Sequence, residues 1–177
     1  MAHYINNATF TAAIAKYRLD CAAAKAAGQD QPVIPRDIAE SFLMLATKLS
    51  YRYNFLNYSY REEFVSEGLI ACCAKILNFD PEITNNAFGY FTKLCFYAFV
   101  EVIEQEHKEA YVKAKSYYNA IEENGNPFET GELDGDHEVE NDFIPYFDVQ
   151  EYERKREEKR AKTKKAKTDD QNGNLFE

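Results

Sequence analysis

Six of the twelve residues from Phe88 to Phe99 are aromatic: Phe88, Tyr90, Phe91, Phe96, Tyr97 and Phe99. The stretch reads as a helix, because it follows Asn85-Asn86, whose side-chain oxygens can cap an N-terminus. An apolar stripe facing a core is roughly 100° wide, and six rings spread over so short a helix exceed it. Some rings must therefore face outward. The preceding segment, Tyr60 to Ile76, has helical spacing too, with Val65, Leu69, Cys72, Cys73 and Ile76 expected on a buried face. Glu62, Glu63, Ser66 and Glu67 gather on another face and make an acidic patch near its start. The link Phe79-Asp80-Pro81-Glu82 is expected to end this helix at its proline.

Two further helices are expected upstream. Asn6 or Asn7 can cap the first, whose apolar residues Phe10, Ile14, Tyr17 and Cys21 recur at four, three and four, with Gly28 as its stop. Prolines 32 and 35 make GQDQPVIP a connector. Arg36 to Tyr53 forms the second helix, with Ile38, Phe42, Leu45 and Leu49 on one face, and RYNFLNYS is a turn. After Lys108 the apolar pattern fades through Tyr111, Tyr117 and Ile121.

The chain of 177 residues is 45% hydrophobic, enough for one helical domain with appendages. Its charge is segmented. Glu122 to Asp142 holds nine acidic residues and no lysine or arginine, whereas Glu151 to Lys167 holds nine basic residues against four acidic ones. Residues 1–121 are thus expected to form a compact all-α domain, 122–142 an acidic linker, and 143–168 an aromatic cluster followed by a basic helical arm. Residues 169–177 are a polar tail ending in Leu175-Phe176-Glu177. The net charge of -9 argues against coating nucleic acid through bulk positive charge.

Cys21, Cys72, Cys73 and Cys95 lack the spacing of a zinc site or a disulfide framework, and buried thiols are expected. No apolar run is long enough for a membrane span and no secretory leader is recognisable, so a cytosolic protein without a membrane partner is expected. Glu104 and His107 form a Glu-x-x-His pair, but a carboxylate di-iron site needs a second pair and two more glutamates. Asp134, Asp136, Glu138 and Glu140 alternate as in a calcium loop, yet Val139 stands where the turn requires glycine. No metal or cofactor is expected, and no nucleophile–base pattern points to an enzyme. Outward rings beside Asn85, Asn86 and Lys93 instead offer the stacking surface and donors that hold unpaired bases.

EEFVSEGLIACCAKILNFDPE, followed by Tyr90 and Thr92, resembles the second conserved region of bacterial sigma factors, without a gap from Glu62 to about Val100. The nearer likeness is to the small late sigma factors of T-even-type tailed bacteriophages, and it includes Tyr4-Ile5-Asn6-Asn7, Cys95-Phe96, Ala98-Phe99-Val100 and the hydrophobic-acidic end of the chain. The resemblance implies a non-enzymatic initiation factor in the cytoplasm of an infected bacterium. Glu63, Ser66 and Glu67, with Cys73 beneath, would dock on the clamp helices of the largest subunit of host RNA polymerase. Complementary charge would steer that docking. Late promoter DNA would be gripped by a set comprising Asn85, Asn86, Phe88, Tyr90, Phe91, Lys93 and Tyr97. Lys93 and Leu94 stand where housekeeping sigmas have paired tryptophans, so Phe88, Phe91 or Tyr97 would hold the flipped base.

Glu101, Glu104, Glu106 and Glu109 occupy a stretch where relatives are more basic, which shifts phosphate contacts to Lys113, Lys115 or the arm after Arg154. No helix-turn-helix follows Lys108, so a single promoter element would suffice. Leu175 and Phe176 would dock on the phage sliding clamp, and a late co-activator is a further possible partner. The alternative is a helical adaptor or inhibitor that binds polymerase without reading DNA, for which the acidic charge speaks.

Overall fold

The computed structural model describes residues 5–124 and 147–173, with side chains over 5–123 and 147–162. Every regular element among the described residues is helical, in line with the periodicity: α1 (Asn7–Ala26), α2 (Arg36–Ser50), α3 (Tyr53–Leu56), α4 (Arg61–Ala74), a 3-10 turn (Ile76–Asn78), α5 (Ala87–Asn124) and α6 (Val149–Gly173). The chain divides into two compact units, Met1–Glu104 and Gln105–Glu177, with the border inside α5.

In the first unit α1 begins where Asn6 Oδ1 accepts from the N–H groups of Ala8 and Thr9. It buries Phe10, Ile14, Tyr17 and Cys21, the four positions its spacing indicates. Gly28 follows the helix with φ 68°, a left-handed conformation that glycine adopts without steric cost. The connector is fastened back by Tyr17, whose hydroxyl donates to the Pro32 carbonyl at 2.9 Å and accepts from Gln31 Nε2. Ile38, Phe42, Leu45 and Leu49 of α2 are buried together with Ala46. The turn expected after α2 contains one helical turn, α3, because Phe55 reaches the core there.

α4 departs from the sequence reading in two respects. Its fully buried ridge is Phe64, Gly68 and Cys72, at intervals of four, while Val65, Leu69 and Cys73 lie only half-buried on its flank. A hydrophobicity count passes over Gly68, whose value lies in having no side chain. A Cβ placed there would meet Phe99 Cε1 at 2.8 Å, Ala46 Cβ at 3.4 Å and Cys95 Sγ at 3.4 Å. The helix also ends at Ala74, seven residues before Pro81, and the 3-10 turn lets Ile76 and Phe79 swing into the core.

Rings fill the space between these helices. Phe42 and Phe91 lie 4.7 Å apart with Phe10 against both, and Phe64 stacks on Phe99 at 5.0 Å with Phe55 edge-on to that pair. Such pairs contribute about 0.5–1.5 kcal/mol each beyond the area they bury. Cys72 Sγ sits 3.4 Å from Cys95 Sγ in the same core, and that contact, then burial, pushes the Cys72 thiol up.

In the second unit the apolar pattern thins after Lys108, but the helix does not stop. From Tyr90 to Asn124 the chain holds neither proline nor glycine, so α5 runs unbroken for 38 residues in all. Tyr152 stacks on Tyr111 at 4.8 Å, with Phe147 against Tyr152, so the described part of the aromatic cluster packs on α5; residues 143–146 of that cluster lie outside the described residues. Glu153 Oε1 accepts from the Tyr111 hydroxyl at 2.7 Å and from Lys115 Nζ at 2.5 Å. Lys115, then Tyr111, holds the Glu153 carboxyl below its usual range, and the same contacts, Glu153 before Tyr111, push Lys115 up to about 12.

Two outcomes test these contacts. Gly68→Val should destabilise the protein by about 1–3 kcal/mol, measured by denaturant unfolding, because Phe99 is buried and stacked and cannot yield. Because the folded-state value of Glu153 is depressed, its contribution is present above the ordinary carboxylate range near about 4.3 and is lost as pH falls through the folded value. Acid titration followed by tyrosine fluorescence should therefore report loosening of the Tyr111–Tyr152 stack below roughly pH 4.

Candidate functional site

The start of α5 is held from three sides. Asn86 Oδ1 accepts from the Gly89 N–H at 2.9 Å, the cap the sequence indicates. Asn7 of α1 donates from Nδ2 to the Asn85 carbonyl at 2.9 Å and accepts from the Phe88 N–H at 3.0 Å. Thr11 adds a bond from its hydroxyl to the same carbonyl at 3.1 Å. On the remaining side Phe79 is buried against Tyr90 and Phe91, Asp80 Oδ1 accepts from the Glu82 N–H, and Arg18 donates to the Phe79 carbonyl while lying 3.5 Å from Asp80. The Phe-Asp-Pro-Glu link thus sets where α5 starts and how it is rotated. Asn7, Thr11 and Arg18 carry no signal of this role in a single sequence, since their partners lie more than sixty residues away.

That rotation sorts the six rings. Phe91 and Phe99 are fully buried, Phe88, Tyr90 and Phe96 are half-buried, and Tyr97 is 56% exposed. Phe91 accordingly leaves the set expected to touch DNA: it is pinned between Phe42, Phe10 and Phe79 and cannot stack on a base. Asn86, Tyr90, Lys93 and Tyr97 follow one another at four, three and four residues, and so share one helix face. Asn85, Asn86, Lys93 and Tyr97 are exposed, and Tyr90 presents part of its ring. Lys93 Nζ lies 5.7 Å from the Tyr97 ring centroid, so a cation and a flat π surface are offered together. Asn86 has committed its side-chain oxygen to the cap, which leaves its amide N–H₂ for a ligand. Phe88 lies against the core and is not part of this face.

α4 presents a second surface. Glu62, Glu63, Ser66 and Glu67 are exposed, as expected, and Cys73 is half-buried. Ile70, 58% exposed, stands on the same side as Glu63 and Ser66, which precede it by seven and four residues. An apolar side chain inside an acidic rim is the arrangement that protein interfaces use at their centres. The sequence reading missed Ile70 because an isoleucine in a helix is ordinarily assigned to the core. Beside this rim an open cleft of about 670 Å³ runs past Thr47, Tyr51, Arg61, Glu62 and Ser66. The Arg61 guanidinium lies over the Tyr51 ring at 4.5 Å, and its Nε is buried without an acceptor among the described residues.

Glu104 and His107 are exposed, and no group of three or more His, Cys, Asp or Glu among the described residues could hold a metal ion. No helix among them is long and apolar enough to cross a membrane. Leu175 and Phe176, the acidic stretch from 125 to 142 and its calcium-loop pattern lie outside the described residues. No protein-family model matches the chain, and no curated protein matches it either.

The different fates of the rings predict different losses. Phe91→Ala should cost about 3–5 kcal/mol of stability by emptying the centre of the core. Tyr97→Ala should leave the unfolding midpoint nearly unchanged, because its ring is mostly in solvent. Thermal unfolding of the two variants side by side checks this.

Proposed function

We propose that this chain is a late-transcription sigma factor of the T-even phage type, which binds host core RNA polymerase through α4 and grips the opened strand of a single late promoter element with α5. The observation that carries the reading is the exposed face of Asn86, Tyr90, Lys93 and Tyr97 on a helix start fixed by α1 and the Phe-Asp-Pro-Glu link. A rigid support matters because a base leaving the duplex gains only about 1–3 kcal/mol from one aromatic stack, which a mobile platform would dissipate in ordering. Tyr97 provides the stack, Lys93 the charge, and Asn85 and the Asn86 amide the hydrogen bonds. The acidic rim of Glu63, Ser66 and Glu67 around Ile70 suits a basic helical hairpin such as the polymerase clamp helices. The adaptor reading shares that surface and draws on the net charge of -9, but gives the α5 face no work.

Run-off transcription with purified bacterial core polymerase separates the two. A template carrying one late-type element should yield a specific transcript only with this protein present. Tyr97→Ala should lower strand opening, read by permanganate reactivity, roughly 5- to 150-fold while leaving polymerase binding intact. Glu63→Lys with Glu67→Lys should do the reverse and weaken polymerase binding itself. Polymerase binding without any promoter-directed transcript would establish the adaptor instead. Removing Leu175 and Phe176 should abolish stimulation by the sliding clamp and spare basal initiation, since two buried apolar side chains give only a few kcal/mol and act through tethering along DNA.

A further inference from the structure

Beyond the Tyr152 stack, α6 is a helix with almost nothing to bury. From Glu153 to Lys162 its only apolar side chain is Ala161. Two of its cations are paired along the helix. Arg154 pairs with Glu158 at 3.0 Å and Lys155 with Glu151 at 2.7 Å, one helical turn apart in each case. Arg156, Arg160 and Lys162 are exposed and form no salt bridge within 4 Å among the described residues, although Arg156 adds a weak attraction to Glu153, and the same helix continues through positions 164, 165 and 167, all lysine. Its 25 residues span about 37 Å at 1.5 Å per residue. At its root the helix is fixed to the distal half of α5 by the Tyr111–Tyr152 stack and the bonds of Tyr111 and Lys115 to Glu153. It is therefore a basic rod with one anchored end.

We propose that α6 lies along the phosphate backbone of duplex DNA, with Arg156, Arg160 and Lys162 among the residues that touch it. As the duplex beside an opened promoter segment, this partner rests on the function proposed above. Two observations favour it. Glu101, Glu104 and Glu109 are exposed on α5, and carboxylates beside phosphates repel, so the attraction that holds duplex must come from another element. A protein partner would need apolar or aromatic anchors to fill its pockets, and α6 offers none past Tyr152 in the described stretch, whereas phosphates need only cations. The arginines bring planar forks that match phosphate oxygens, and the lysine a point charge.

The test uses the full-length chain and a fluorescent 30-base-pair duplex of arbitrary sequence, with binding followed by anisotropy over a series of salt concentrations. In the triple variant Arg156→Gln, Arg160→Gln and Lys162→Gln, the slope of log affinity against log salt should become shallower by about 0.9 for each phosphate no longer neutralised, up to about 2.7. Glutamine is a good helix former, and far-UV circular dichroism verifies that α6 persists. Lys25→Gln, which removes an exposed cation on α1, should leave that slope unchanged. An unchanged slope in the triple variant with the helix retained overturns the proposal, as does failure of the unaltered chain to bind duplex at low salt. Equally tight binding to a poly-glutamate peptide of matched charge also overturns it, and assigns α6 an acidic protein surface. Duplex binding needs no polymerase, so the two readings fail separately: a steep, α6-dependent slope without promoter-directed transcription refutes initiation alone, and transcription with an unchanged slope refutes the α6 contact alone.

Discussion

The first unit is built around the close approach of α4 and α5 at Gly68. Because that position has no side chain, the Phe99 ring fits against the α4 backbone and stacks on Phe64, and Cys95 comes within sulfur contact of Cys72. A side chain larger than hydrogen would push the helices apart and empty the space the rings occupy. The same contact fixes which sides of the two helices are left over. On α4 the remainder is the Glu63–Ser66–Ile70 face, and on α5 it is the Asn86–Tyr90–Lys93–Tyr97 face.

Rigidity at the start of α5 has a separate origin. Helix N-termini leave four N–H groups without partners, and here side chains from α1 satisfy some of them while Asn86 serves another. The aromatic face is thereby tied to the N-terminal helix and to the Phe79 plug at once. If the face catches bases, as proposed, this is an energetic advantage, since less ordering remains to be done when the ligand arrives.

Charge is distributed along the chain in the opposite sense from a simple nucleic-acid coat. The helical unit proposed to offer rings and one lysine to single strands also carries acidic faces, and concentrated positive charge appears only in α6. Separating stacking from phosphate attraction lets one element discriminate unpaired bases while another supplies salt-dependent affinity. The exposed Arg156, Arg160 and Lys162 of α6, which form no salt bridge among the described residues, fit that division.

Local rules were enough for the all-α class, the apolar faces of α1 and α2, the caps to within a choice of Asn6 or Asn7 and of Asn85 or Asn86, and the exposure of the acidic residues on α4. Helical periodicity and side chains that satisfy nearby backbone groups are written in the order of residues alone. Packing settled the rest. Whether Phe91 or Tyr97 is the outward ring depends on the rotation of α5, which Asn7, Thr11 and Phe79 set from distant points of the chain. Gly68 in the core and Ile70 outside it invert what hydrophobicity alone would assign, because the first is selected by the space beside Phe99 and the second is left over by it. A periodic pattern places residues on faces; which face is covered is a property of the neighbours.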